Sequence, residues 1–98
     1  MTNIFIRETF KNDYTTRDAG EKLRHMILLS KKKIMLDFSD IKIASASFFD
    51  EGIAKLSLEG WDSKKLNDQL EFKNLFKLDQ ELLQQVCSAR GLKLQKNK

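Results

Sequence analysis

The sequence is poor in the residues that interrupt or cross-link a chain. Its 98 residues include no proline, four glycines, one cysteine and one histidine. Few chain-breaking residues favour regular helices and strands with short connections. A single cysteine, Cys87, excludes an intramolecular disulfide and a zinc site built from cysteines. No second histidine or cysteine stands at metal-ligand spacing from His25, so we predict no metal site, no cofactor and no catalytic role for it.

Long apolar runs are also missing. No stretch of 18 apolar residues occurs, so the sequence predicts no transmembrane helix. The apolar stretch within residues 1–7 is short and soon broken by charge, which does not fit a signal peptide. Hydrophobic residues make up 41% and charged residues 33%, a balance typical of a globular chain. We therefore expect a cytoplasmic protein without membrane contact, with one domain over residues 1–92 and a flexible basic tail over 93–98.

Positive charge is concentrated in two places. The net charge is +4, and the four cations Arg90, Lys93, Lys96 and Lys98 account for the whole excess. The other cluster is Lys31-Lys32-Lys33, directly after a predicted helix. Both clusters fit a solvated surface and the negative end of a helix dipole. They also leave open an alternative function as a nucleic-acid accessory domain that contacts phosphates through Lys31, Lys32, Lys33 and the tail.

Hydrophobic periodicity predicts alternating strands and helices. The predicted elements are an edge strand over 3–10, a helix over 17–29, a central strand over 33–38, a helix from 47 to 58, an irregular stretch over 61–68, a short strand over 70–74, a helix over 78–90 and a few residues of edge strand over 92–94. The order β-α-β-α-β-α predicts an α/β fold with a mostly parallel sheet and packed helices.

Several residues have expected roles in shaping the helices. Gly20 lies inside the first long helix, where it predicts close backbone packing. Ser47 followed by Asp50 resembles a capping box that starts the next helix. Gly60 and Gly91 are expected to end helices. The core stripe of the last helix is predicted at Leu78, Leu82, Val86 and Ala89.

Candidate functional residues cluster after the central strand. Asp37 ends that strand, and the loop that follows leads through Ser45 to Ser47. Ligands and partners of parallel sheets bind at this carboxyl end. The neighbouring acids Asp50 and Glu51 point about 100° apart on a helix, so they fit first-turn charges with an outward role in partner contact better than a catalytic pair. We find no phosphate-binding glycine loop, and we predict that the chain is not an enzyme.

Two segments resemble a known bacterial family. Residues 34–41 read Ile-Met-Leu-Asp-Phe-Ser-Asp-Ile, and residues 45–51 read Ser-Ala-Ser-Phe-Phe-Asp-Glu. This pattern of an apolar strand ending Leu-Asp-Phe-Ser, a short loop and Ser-Phe-x-Asp-Glu is similar to that of the STAS-like domains of unknown function, relatives of the anti-sigma factor antagonists. Weaker matches are the helix entry at residues 14–17 and the strand end at residues 72–75, which includes Asn74.

The resemblance implies a regulatory protein-interaction module. In anti-sigma factor antagonists, the loop after the Leu-Asp strand carries a serine that a partner kinase phosphorylates. Here Ala46 occupies that place, and Ser47 and Ser45 beside it are the candidate phosphoacceptors. The implied partner is a protein of the histidine-kinase-like ATPase type. The implied binding residues are Arg17, Asp37, Ser45, Ser47, Asp50, Glu51 and Asn74.

Two further possibilities stay open. An enzyme subunit completed by another chain is one, although no acid, base or metal set in the sequence supports it. A homodimer formed through strand edges is the other, because the third strand is short and the first is expected at an edge.

Overall fold

The computed structural model describes residues 2–95. Its elements are β1 Thr2–Phe5, α1 Ile6–Phe10, α2 Arg17–Leu29, β2 Ile34–Asp37, α3 Ala46–Gly52, a 3-10 helix Ala54–Glu59, α4 Ser63–Gln69, β3 Leu70–Lys73 and α5 Lys77–Ser88. Over these residues no helix combines the length and the apolarity needed to cross a membrane.

A three-stranded parallel sheet lies at the centre of the fold. The strand order is β1-β2-β3, and the register places Leu36 between Ile4 and Phe72. The parallel strands are joined by connections that contain helices, and the helices α2 and α3 of the two connections pack against each other. Ile34, Leu36 and Leu70 are buried, whereas the alternate residue Met35 is half-buried. The predicted small α/β fold is confirmed.

The first strand is shorter than its pattern predicts. The strand expected over residues 3–10 ends at Phe5, and Ile6 begins helix α1. The alternation of Ile4 and Ile6 suits a strand, but the Ile6 and Phe10 spacing of four suits a helix equally well. Tertiary packing decides between them, because Ile6 is fully buried and the Phe10 ring packs edge-on against Phe48 with centroids 6.0 Å apart.

Helices α2 and α3 cross at two glycines. A Cβ on Gly20 would lie 2.8 Å from the Glu51 Cβ and 2.8 Å from the Phe48 carbonyl oxygen. A Cβ on Gly52 would lie 3.1 Å from a methyl group of Leu23. The close packing predicted for Gly20 is therefore confirmed, and Gly52 is its counterpart on the facing helix.

The segment after α3 differs from the prediction in two ways. The helix expected to run on to residue 58 stops at Gly52, and a 3-10 helix continues to Glu59 before Gly60 ends it at a φ of 87°. Residues 61–68, predicted as irregular, include all but the last residue of helix α4. Asp62 caps this helix by accepting the Lys65 N–H at 2.8 Å, and Leu66 is its buried apolar residue. One buried leucine gives too little periodicity to reveal a helix.

The core stripe of α5 lies one residue beyond the predicted one. Its buried residues are Asp79, Leu83 and Cys87, whereas Leu78 is 77% exposed. The prediction was wrong for Leu78 and Ala89, which are exposed, whereas Leu82 and Val86 are half-buried and pack against the core. The stripe was aligned on the apolar Leu78 rather than on an acid. Gly91 ends the segment at a φ of 78°, as predicted.

The segment 92–95 does not form the predicted edge strand. Leu92 is buried, the Lys93 N–H donates to the Ser63 hydroxyl at 2.8 Å, and the Gln95 N–H donates to Asn67 Oδ1 at 2.8 Å. The chain is thus held against α4 as far as Gln95. The rest of the predicted basic tail, residues 96–98, lies outside the described residues.

Candidate functional site

Asp37 links the ends of the two neighbouring strands β2 and β3. Its Oδ1 accepts the Ser39 N–H at 2.9 Å, the Ser39 hydroxyl at 2.5 Å and the Asn74 side-chain amide at 3.0 Å. The Ser39 hydroxyl is the main cause that lowers the pKa of Asp37, and burial opposes it. The structure therefore brings Asp37 and Asn74 together, with Asp37 buried as an anchor for the loops.

Asp79 fixes the loop between β2 and α3 from the other side. This side chain is 3% exposed, and its two oxygens accept the Ile43 N–H at 2.7 Å and the Ala44 N–H at 2.9 Å. Ala44 adopts a φ of 46°, a left-handed conformation that is costly for a residue with a Cβ. The loop is thus held in a strained conformation by an acid in the first turn of α5.

Ser45, rather than Ser47, caps α3. The Ser45 hydroxyl oxygen accepts the Phe48 N–H at 3.2 Å, and the hydroxyl donates to the Thr15 carbonyl at 2.5 Å. Ser47 is the second residue of the helix and is half-buried, so the capping box predicted from Ser47 and Asp50 is wrong. Ser45 also ties the loop to the chain that enters α2, because Thr15 immediately precedes the α2 cap, Thr16.

Glu51 lies at the centre of a buried ionic network. Its carboxylate contacts Lys55 Nζ at 2.5 Å, Arg17 at 3.0 Å and Arg24 at 3.2 Å. Arg24 also donates to the main-chain carbonyl of Glu51. Lys55, followed by Arg24 and Arg17, lowers the pKa of Glu51 to about 2, although burial acts in the opposite direction.

Asp50 joins the same region to the end of α5. It forms a two-point ion pair with Arg90, at 2.6 and 3.0 Å, and lies 3.7 Å from Arg17. The hydrogen bond from Arg90 is the main cause that lowers the pKa of Asp50. The expectation that Asp50 and Glu51 are outward first-turn charges is therefore wrong, since both hold α2, α3 and α5 together. Arg17, which is largely exposed, bridges the two acids.

The Glu51 network predicts a specific loss of stability in acid. A carboxylate whose folded-state pKa is depressed contributes stability that is complete above its unfolded value, near 4.5 here, and disappears as the pH falls towards 2. Glu51→Gln should lower the free energy of unfolding at pH 7 by about 2–3 kcal/mol and by much less at pH 3. Urea unfolding at both pH values measures this difference.

The matched control for this prediction is Glu59→Gln, at an exposed carboxylate in the 3-10 helix. It should keep the wild-type dependence on pH. A Glu51→Gln protein whose stability falls between pH 7 and pH 3 as steeply as that of the wild type would contradict the role assigned to the network.

Exposed side chains cluster around the anchored loop. Lys42 Nζ lies 5.4 Å from the centre of the Phe76 ring, which is 45% exposed, and Leu78 follows on the first turn of α5. Ala44 and Ala46 are exposed on the loop and at the start of α3. We call the five residues Lys42, Ala44, Ala46, Phe76 and Leu78 the loop surface. It combines apolar area and one cation on a backbone that Asp79, Ser45 and Asp37 hold in place.

Neither the cysteine nor the histidine lies in this arrangement. Cys87 is fully buried, and burial raises the pKa of its thiol to about 12, which makes it a poor nucleophile. His25 is exposed on α2. Between residues 2 and 95, no three His, Cys, Asp or Glu side chains are grouped so that they could hold a metal ion.

Comparison with known protein families identifies a match that covers most of the chain. The family model described as STAS-like domain of unknown function (DUF4325) matches residues 19–80. The matched range contains β2, the anchored loop, α3 and β3, whereas Arg17 lies just before it. Neither the curated proteins nor the solved structures compared with the chain give a significant match. With most of its sheet and the whole anchored loop inside the match, the chain belongs to the family of STAS-like domains of unknown function.

Proposed function

We propose that the domain is a non-enzymatic regulatory module that binds a protein partner through the loop surface. The observation that carries this proposal is the anchoring of the loop by Asp79. Its buried carboxylate accepts two backbone N–H groups of the loop and so holds a strained, exposed segment in place. Such strain persists only where the surrounding structure enforces it, and it is concentrated at functional segments. Exposed Phe76 and Leu78 beside the loop add the apolar contact area that protein interfaces use.

The proposed partner is a histidine-kinase-like ATPase, by analogy with the anti-sigma factor antagonists that the family resembles. Arg17 is the exposed cation at the rim of the ionic network, and Asn74 is exposed at the end of β3. Both are proposed to add polar contacts around the loop surface. Asp37, Asp50 and Glu51 support binding indirectly, because they fix the elements that carry the surface.

Phosphorylation is the proposed regulation of this surface. A phosphate on Ser45 would remove the hydroxyl hydrogen that binds the Thr15 carbonyl and would place negative charge at the cap of α3. A phosphate on Ser47 would add charge within the first turn of α3 while leaving the Ser45 cap in place. Modification of either serine therefore changes the charge of the loop surface, and modification of Ser45 also frees the chain entering α2.

Affinity capture from nuclease-treated lysate of the source organism, read by mass spectrometry, tests the proposal. The wild-type protein should recover a regulatory protein, and phosphosite mapping should find modification at Ser45 or Ser47. Lys42→Glu combined with Leu78→Ser should weaken binding to the purified partner by about tenfold or more, since exchange of an apolar contact and a charge at an interface commonly costs this much.

The matched control is Leu58→Ser, which removes a leucine that is 68% exposed in the 3-10 helix. It should bind the partner as the wild type does. Equal binding by the Lys42→Glu, Leu78→Ser protein would eliminate the loop surface as the binding site. Recovery of partners only without nuclease would instead favour the nucleic-acid alternative, for which Lys31 and Lys32 are exposed while Lys33 pairs with Glu71 at 2.9 Å.

A further inference from the structure

Within residues 2–95, no further strand pairs with the outer edge of β3. β3 ends the sheet, and the Phe38 N–H donates to the Lys73 carbonyl at 2.9 Å, so the backbone groups of Lys73 face β2. Backbone direction alternates along a strand, and the N–H and C=O of Phe72 therefore point away from the sheet. A groove of about 340 Å³ runs beside this edge, with Leu75, Leu83 and Leu94 among its apolar lining.

The charged side chains of β3 are complementary to those of a second, antiparallel copy of β3. Side chains alternate between faces, so Glu71 and Lys73 lie on the face opposite to Phe72. Two copies related by a two-fold axis perpendicular to the sheet pair residues of the same face. With Phe72 opposite Phe72, Glu71 of each copy stands directly across from Lys73 of the other. The same register lets the two Phe72 residues exchange both of their backbone hydrogen bonds.

We propose that this edge binds a second copy of the chain, through antiparallel pairing of β3 with β3 centred on Phe72. The result is a continuous six-stranded sheet with two reciprocal ion pairs and a central aromatic pair on the opposite face. Lys33, which already contacts Glu71 at 2.9 Å, adds a second cation beside each interface carboxylate. The other sheet edge, β1, reads Thr-Asn-Ile-Phe and carries no charge that would select a copy of itself.

Two charge-reversal variants, measured separately and then as a mixture, test this pairing. Sedimentation velocity over a concentration series measures the dimer dissociation constant of the wild type, of Lys73→Glu and of Glu71→Lys. Each single variant places like charges opposite each other at both pairs, which should weaken its self-association by at least about tenfold. An equimolar mixture of the two variants restores both opposite-charge pairs, so it should form heterodimers with close to the wild-type affinity.

Circular dichroism melts of each variant establish that both are folded before they are mixed. Lys42→Glu with Leu78→Ser should dimerise as the wild type does, because the edge of β3 is separate from the loop surface. The test of the dimer therefore gives a result that does not depend on whether the loop surface binds a partner. A wild-type chain that stays monomeric across the series, a dimer unaffected by either charge exchange, or a mixture that fails to associate would overturn the proposal.

Discussion

Gly20→Ala is expected to destabilise the domain by about 2–3 kcal/mol, although the same exchange inside an exposed helix stabilises it by about 1 kcal/mol. The sign is reversed because the added methyl group would lie 2.8 Å from the Phe48 carbonyl oxygen and from the Glu51 Cβ. Neither atom belongs to a flexible side-chain end, so helices α2 and α3 must move apart. Their separation also stretches the contact between Arg24 on α2 and Glu51 on α3.

Urea unfolding at pH 7, followed by circular dichroism, measures this loss. Gly52→Ala is the matched comparison on the facing helix, where the contacts are longer: a methyl group of the buried Leu23 at 3.1 Å and the Gly20 carbonyl oxygen at 3.2 Å. Its cost should be smaller, about 1 kcal/mol. A Gly20→Ala protein as stable as the wild type would show that the helices do not cross this closely.

The sequence predicts the fold class well because its strongest signals are local. The apolar run that forms β2 and the helical stripe of α2 appear in the structure close to their predicted bounds. The misassigned segments are those whose hydrophobic pattern fits both a strand and a helix, or fits neither. Ile4 and Ile6 alternate like a strand, yet the burial of Ile6 against the core stabilises helix α1. Helix α4 buries only Leu66, so its main sequence signal is the Asp62 cap.

The candidate site is predicted less completely because it depends on contacts between distant segments. Asp37 and Asn74 can be placed at neighbouring strand ends from the strand order alone, and the structure joins them at 3.0 Å. Asp79 gives no such signal, since an acid in a first helical turn ordinarily faces solvent. The outward orientation predicted for Glu51 is wrong for a related reason. Its partners Arg17 and Arg24 lie on another helix, and periodicity within α3 does not reveal them.

The three buried acids act on the same loop region from different sides. Asp37 holds the start of the loop to the end of β3, and Asp79 holds its centre to α5. Glu51 holds the helix that follows the loop to α2. A segment fixed in this way loses little conformational freedom when it binds, which is the physical advantage of a preorganised interface. Removal of one anchor should therefore affect stability and partner affinity together.

Asp79→Ala tests this argument at the centre of the loop and should cost about 3–4 kcal/mol of stability, because two backbone N–H groups lose a charged acceptor. Without that acceptor, Ala44 is no longer held at a φ of 46° and should relax to an unstrained conformation. Amide hydrogen exchange should accelerate at Ile43 and Ala44 by more than at the amides of β2. The affinity of the loop surface for its partner should fall together with the stability of the domain.

Asp68→Ala is the control for the loss of an acid from a helix, since Asp68 forms an exposed pair with Lys64 at 3.0 Å and should leave the stability close to that of the wild type. The combination of Asp79→Ala with Ala44→Gly separates anchoring from strain. Glycine relieves the left-handed strain at position 44 only while Asp79 enforces it, so the effect of Ala44→Gly on stability should shrink in the Asp79→Ala background. Additive effects and unchanged exchange at Ile43 would mean that the loop conformation does not depend on Asp79.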